Sequence, residues 1–185
     1  MEPDFQSYRQ KLYSQVEEAY GKVVYTYTTQ IIHAGRLKKR NRNFKWAEII
    51  LSAISTGGFI MALIQSQIVS VWVGGISSTI LLIISSYLKD IDFSKAEKAH
   101  LDTSNKLWLL KEKYLSLLTD FSTMNESEIQ IQRNLLRDEM AKIVDTAPIT
   151  DSKSYALAQD ALKNKEMQSF SREELNKLLP KSLQR

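Results

Sequence analysis

Cysteine is absent from the 185 residues, which excludes disulfides, thiolate metal sites and a cysteine nucleophile. Histidine occurs only at His33 and His100, neither in an HxxxH or HxxE pair, so a zinc site is not expected and each reads as a satisfied helix-face histidine. Six glycines leave little material for a phosphate loop, and neither GxxxxGKS/T nor GxGxxG occurs. The acids are scattered through charge-balanced stretches and read as solvated faces. No catalytic residues, no metal and no cofactor are expected, and so no enzyme. Strand patterns, repeats and low-complexity segments are missing too. The widest gap is one of charge. From Ile49 to Leu88 there is no Asp, Glu, Lys, Arg or Pro, and Glu48 and Lys89 close the gap on either side.

An uncharged run of 40 residues in a chain that is 25% charged demands its own solvent. Roughly 20 helical residues cross a hydrocarbon core of about 30 Å, so the run is two crossings or one very long buried helix. Gln65-Ser66-Gln67 is its only polar cluster, and Gly74-Gly75 follows. The expected layout is a helix over 46–64, a tight turn near 65–70 and a helix over 71–88. The mean hydropathy of the whole chain is negative, so the flanks should meet water. The opening Met1-Glu-Pro-Asp-Phe-Gln has no basic start and no apolar core behind it, so no secretory signal is expected.

The net charge of +4 is unevenly placed: residues 1–48 hold nine Lys/Arg against five Asp/Glu, and residues 89–185 hold sixteen of each. Arg36, Lys38, Lys39, Arg40, Arg42 and Lys45 carry most of the excess. Just before a span, such a cluster is a positive-inside signal and suits an anionic cytoplasmic leaflet. The other reading is a nucleic-acid patch, which is not expected because the juxtamembrane position already explains the charge. Both termini are then cytoplasmic, with the hairpin pointing outward. Phe44, Trp46 and Tyr87 would lie at the cytoplasmic interface and Trp72 at the opposite one. Glu48 at the membrane edge stays hydrated, pairs with Lys45, or joins a cation-selective ring in an oligomer.

The spans are rich in small and hydroxylated residues. Ser52, Ala53, Ser55, Thr56, Gly57 and Gly58 lie in the first; Gly74, Gly75, Ser77, Ser78, Thr79, Ser85 and Ser86 lie in the second. The four-residue spacings Ser52/Thr56, Ala53/Gly57, Gly74/Ser78 and Gly75/Thr79 let helix backbones approach in a bilayer. They pack the hairpin on itself, or they pack neighbouring subunits and line a polar path. Two spans cannot enclose a pore, so a channel requires a homo-oligomer.

The flanks read as amphipathic helices. Phe5, Tyr8, Leu12, Val16, Ala19, Val23, Tyr27, Ile31, Ala34 and Leu37 form one stripe over 4–42. Its tyrosines suit a ligand-stacking face or, more commonly, a helix–helix contact with hydroxyls at the rim. Gly21 and Gly35 mark close packing or a bend. Phe93, Ala96, His100, Ser104, Leu107, Leu110, Tyr114, Leu117, Leu118 and Phe121 predict an antiparallel partner helix. Thr123 with Glu126, or Asn125 with Glu128, caps a helix over 126–145, with the stripe Ile129, Gln132, Leu135 or Leu136, Met140, Ile143 and Val144. Ala147-Pro148 ends it. A weaker helix spans 151–168 (Tyr155, Ala158, Ala161, Leu162), and Ser171 with Glu174 caps a last short one, stopped by Pro180. The fold class is all-α. A cytoplasmic amphipathic helix (1–45) leads into a transmembrane hairpin (46–88), and a cytoplasmic helical region (89–185) packs on 1–45.

This layout resembles the SLATT domains, two-transmembrane effectors associated with SMODS and SLOG proteins. The resemblance lies in Tyr20-Gly-Lys-Val-Val-Tyr-Thr-Tyr-Thr-Thr-Gln-Ile-Ile-His33, the basic Gly-Arg-Leu-Lys-Lys-Arg of 35–40, the uncharged hairpin led by Trp46 and Glu48, and the tail closing with Ser-Arg-Glu-Glu-Leu and a proline (171–180). It covers essentially the whole chain. It implies a bacterial anti-phage effector in the inner membrane that oligomerises, permeabilises the bilayer and kills the infected cell. It offers no catalytic residues. With no sensor domain read in the sequence, the trigger would come from a partner protein of the defence system, or from a nucleotide second messenger bound by the helical bundle. The alternatives are a membrane-anchored scaffold recruiting a soluble partner, and a soluble nucleotide- or nucleic-acid-binding bundle with 49–88 as its core.

Overall fold

The computed structural model describes residues 5–65, 68–180 and 184. Its described residues form six helices: α1 (Phe5–Gln65), α2 (Ile68–Asp90), α3 (Phe93–Asp120), α4 (Glu126–Thr146), α5 (Ser152–Lys163) and α6 (Arg172–Leu178). The residues group into two compact units, one of 1–33 with 102–185 and one of 34–101.

α1 departs from the expected layout. The helices expected over 4–42 and 46–64 are one 61-residue helix. At ~1.5 Å per residue it is about 90 Å long. No proline interrupts it, and the ladder runs through Gly21 and Gly35 without a break. The expected turn near 65–70 narrows as well, because Gln65 still belongs to α1 and Ile68 already opens α2. Ser66 and Gln67 of that turn, and the side chain of Phe5, lie outside the described residues.

In the unit of 1–33 and 102–185, the core joins α1, α3 and α4. Leu12, Val16 and Val23 of α1 meet Leu107, Leu110, Tyr114, Leu117 and Phe121 near or on α3, with Ile129, Leu136 and Ile143 of α4. Burying a side chain such as Leu110 or Ile129 contributes about 1.5–3 kcal/mol. Polar contacts fix the helix directions. Arg9 donates to the carbonyls of Phe121 and Met124, and Lys111 lies over the Tyr27 ring at 5.8 Å. α1 and α3 are therefore antiparallel. Tyr8 accepts from Gln130 at 2.9 Å, and Gln30 donates to the Pro148 carbonyl at 3.2 Å, so α4 runs parallel to α1.

Two tyrosines of α1 beside that stripe meet other rings. Tyr13 meets Phe121 edge-on at 5.0 Å, and Tyr25 meets Tyr155 at 6.2 Å. Thr28, Thr29 and Gln30, polar residues outside the apolar stripe, are buried as well. The threonines satisfy their hydroxyls by donating to the carbonyls four residues back, which lets a polar residue occupy an interior position of a helix.

The α3 stripe is buried as expected, apart from the half-buried Ala96 and Leu118. On α4, Ile129, Leu136 and Ile143 face inward, while Gln132, Leu135 and Val144 are exposed. Asn125 and Glu128 form the capping box of α4. Thr123 instead donates to the Asp120 carbonyl at 2.8 Å and closes the preceding turn. α5 stops at Lys163 rather than 168, because Glu166 and Gln168 adopt φ of 51° and 85°, in the left-handed region. Ion pairs trim the surface: Lys22 beside Glu18 holds that carboxyl below its usual range, and Lys165 with Asn164 does the same for Asp160.

Candidate functional site

The unit of 34–101 carries the whole uncharged run. Of the most apolar 18-residue stretch in each of its two long helices, only 6% and 11% is buried within the chain. A core helix of a soluble protein would be mostly buried. Both helices are long and apolar enough to cross a membrane. Their outward side chains include Ile49, Ile50, Ile60, Leu63, Leu82 and Ile83.

The basic residues 36–45 stand at the start of this segment on α1. Lys38, Lys39, Arg40, Arg42 and Lys45 are exposed, and Arg36 is half-buried. Arg40 organises the aromatic residues around it. It donates to the Tyr87 hydroxyl at 3.3 Å, and its guanidinium lies 5.2 Å from the Phe93 ring and 5.9 Å from that of Phe44. Phe44 stacks on Phe93 at 5.8 Å and touches Tyr87 at the same distance. Each exposed cation–π contact stabilises by about 0.5–1 kcal/mol. Tyr87 and Trp46 therefore both flank the basic cluster. Trp46 and Trp72 are 58% and 68% exposed, the amphipathic presentation of interface-seeking rings.

The small residues divide into two sets. One is consumed where α1 meets α2. A Cβ on Gly58 would come within 3.0 Å of Gly74 N and the Ser70 carbonyl, and one on Gly74 within 3.2 Å of the Ser55 carbonyl. Glycine lets the two backbones come this close, and any side chain there would push them apart by a few tenths of an ångström or more. The Ser55 and Ser78 hydroxyls hydrogen-bond across the same seam, and Ser77 is buried beside it. Ser55 and Ser78 thus partner each other, which spares both hydroxyls the penalty of a lone buried polar group.

The other set points away. Added Cβ atoms on Gly57 and Gly75 would meet nothing within 4 Å. Ser52, Ala53 and Thr56 share this exposure, and Thr79 returns its hydroxyl to the Gly75 carbonyl at 3.0 Å. An open groove of about 690 Å³ runs along the members of this set on α1, lined by Glu48, Ile49, Ser52, Ala53, Thr56 and Gly57 with Leu81 and Ser85 of α2. Glu48 marks one end, where its carboxylate accepts from Ser85 Oγ at 2.8 Å. Ser85, on the other helix, is therefore the partner that the structure gives Glu48.

The residues singled out from spacing thus fall on both sides: Gly74 and Ser78 in the seam, Ser52, Thr56, Gly57 and Gly75 outside it. Gly58, which stands in none of the four-residue pairs, makes the tightest contact. The four-residue spacing favoured Ala53/Gly57, and nothing in a linear pattern says which of two adjacent glycines faces the partner helix.

The arrangement is one of packing surfaces. Among the described residues no group of three or more acids or histidines could hold a metal. His33 accepts from the Asp151 backbone N–H at 3.4 Å, with the Asp151 carboxylate 3.9 Å away, so it is tied into the α4–α5 connection. His100 is buried on α3.

No curated protein and no solved structure matches the chain. The model of the SMODS and SLOG-associating 2TM effector domain family 4 matches residues 12–174, from the first turns of α1 to the start of α6. With two membrane-length apolar helices and a family match over most of its length, the chain belongs to the SMODS and SLOG-associating 2TM effector domain family 4 and is a membrane-associated effector.

Proposed function

We propose that this protein is a bacterial defence effector that oligomerises in the inner membrane and permeabilises it on a signal from a partner nucleotide-messenger or sensor protein. Both termini lie in the cytoplasm, where the six cations between Arg36 and Lys45 favour the anionic leaflet. One observation carries this reading. Gly58 and Gly74 are used up in the seam between α1 and α2, yet a second set of small residues (Ser52, Ala53, Thr56, Gly57, Gly75) remains outside it. A plain anchor needs only the first set. Small residues facing outward in lipid suit close approach by another helix, because packing rather than hydrophobicity drives association there. Copies meeting along this face would bring Ser52, Thr56 and Glu48 together around a shared path.

The test is depolarisation of the inner membrane, followed with a potential-sensitive dye while the activated system is present. Gly57→Leu and Gly75→Leu should each abolish depolarisation while the protein still inserts and its two spans stay paired. Depolarisation that survives both substitutions would overturn the packing model.

The scaffold reading draws on a different feature, the exposed Trp108, Leu109, Ile131 and Leu135 of the unit formed by 1–33 and 102–185. If recruitment of a soluble partner through that surface is the function, exchanging residues 46–88 for an unrelated hairpin should leave activity intact.

A further inference from the structure

α6 is a helix without a core. None of its residues is buried, yet Leu175, Leu178 and Leu179 share one side of it and are 47%, 72% and 41% exposed. Its start is firmly specified, since Ser171 and Glu174 form a full capping box. Specifying a seven-residue helix and leaving its apolar side uncovered makes physical sense only if something else covers it, because so short a helix is marginal alone in water.

The same unit holds a matching surface. Between α3 and α4 lies a groove of about 350 Å³, lined by Lys113, Ser116, Leu117, Asp120, Met124, Gln132 and Leu136. Leu117, Met124 and Leu136 make its apolar floor, and the exposed Leu135 stands next to it on α4. Lys113 and Asp120 mark its ends, seven residues apart on α3 and so about 10 Å. α6 has the same length. Its first turn carries Glu173 and Glu174, and its last turn Lys177. Laid parallel to α3, it would set its acids beside Lys113, which Glu139 holds in place at 2.7 Å, and Lys177 beside Asp120.

We infer that α6 of one chain docks in the α3–α4 groove of a second copy. The path of its own chain argues against seating in cis. Lys111 holds Gln168 at 3.4 Å, and Lys111 sits about 180° around α3 from the row Lys113, Ser116, Asp120. The four residues from Gln168 to Arg172 reach at most about 14 Å. Half the circumference of a helix with its side chains is roughly 16–19 Å. While Gln168 is held, α6 sets out on the wrong side of α3 for its own groove. This inference rests on the reading of the protein as an oligomeric effector, and it adds a contact outside the membrane.

The cysteine-free sequence gives a clean test in the full-length protein. Two differently tagged chains, one carrying Ser116→Cys and the other Leu178→Cys, are co-expressed, and their membranes are oxidised and run without reductant. The expected result is a cross-linked band bearing both tags. Adding Leu175→Asp to the second chain should reduce that band at least about tenfold, because a charge would be driven into an apolar floor. Absence of the mixed band, or cross-linking only inside a chain that carries both cysteines, overturns the inference. So does a mixed band that Leu175→Asp leaves unchanged. The Gly75→Leu background separates the two readings. The mixed band should persist there even as depolarisation is lost. Depolarisation by a protein that yields no mixed band would leave the effector reading standing and this contact refuted.

Discussion

Ile129 and Ile60 are the same side chain in two settings. Ile129 on α4 is fully enclosed by the core of its unit, whereas Ile60 on α1 is 50% exposed, with Leu63 beyond it at 85%. Around Ile129 the outer faces carry Lys, Glu and Arg. Around Ile60 there is no charge from Ile49 to Leu88. In the first unit the fold hides its core of apolar groups from water; in the second apolar groups dominate the outer surface, and three hydroxyls, Ser55, Ser77 and Ser78, are turned toward the seam while Ser52, Thr56 and Thr79 stay outside it. Such inversion of inside and outside follows from changing the solvent from water to hydrocarbon, where unpartnered polar groups are the ones that must be hidden. It also moves the work of packing from large side chains to small ones.

The sharpest way to break that contrast is at the seam. Gly58→Leu places a side chain against backbone and should part α1 from α2 outright, so that cysteines introduced by Ser55→Cys and Ser78→Cys no longer form a disulfide. Gly57→Leu, one residue away, should leave that disulfide intact. Next comes the water-facing unit. Ile129→Ala empties a fully buried site and should lower stability by about 2–5 kcal/mol, while Ile131→Ala on the outer face of the same helix should stay within about 0.5 kcal/mol, both read by denaturant unfolding. Asn125→Ala removes the α4 cap and should lower stability by about 1 kcal/mol, with loss of amide exchange protection confined to the first turn. The smallest effect is one of pH. Burial raises the Tyr114 hydroxyl above its usual 10, partly opposed by Arg137. A raised folded value means that the contribution is fully present below pH 10 and is lost as pH rises through that folded value. Alkaline titration should therefore destabilise the wild type more than Tyr114→Phe, as followed by thermal melts above pH 10.

Much of this architecture can be read in the chain itself, for identifiable reasons. The α3 stripe from Phe93 to Phe121 is legible because water on one side and core on the other impose a helical period. The capping box at Ser171 and the stop at Pro148 are local chemistry. Helix boundaries that depend on context are less legible. The basic run of 36–45 suggested a junction before Trp46, yet cations do not end a helix, and α1 continues through it. The stop of α5 at Lys163 rests on left-handed backbone at Glu166 and Gln168, residue types that do not announce it. At the candidate site, the small-residue content of the spans is plain, but its division between seam and outer face is not. Adjacent residues on a helix point about 100° apart. Only the position of the second helix decides that Gly58 is in the seam and Gly57 is outside it.

The stretch after α5 has a further consequence, in how the chain would meet a protease. From Lys163 to Pro180 only Asn176 is even partly covered, and the segment holds Lys163, Lys165, Arg172 and Lys177. Trypsin therefore finds four cleavable bonds there before it reaches anything enclosed. Brief digestion would remove the α6 segment by cuts after Lys163 or Lys165 and cut it further after Arg172 and Lys177, and whatever shields those bonds inside the cell would be revealed by the segment's survival.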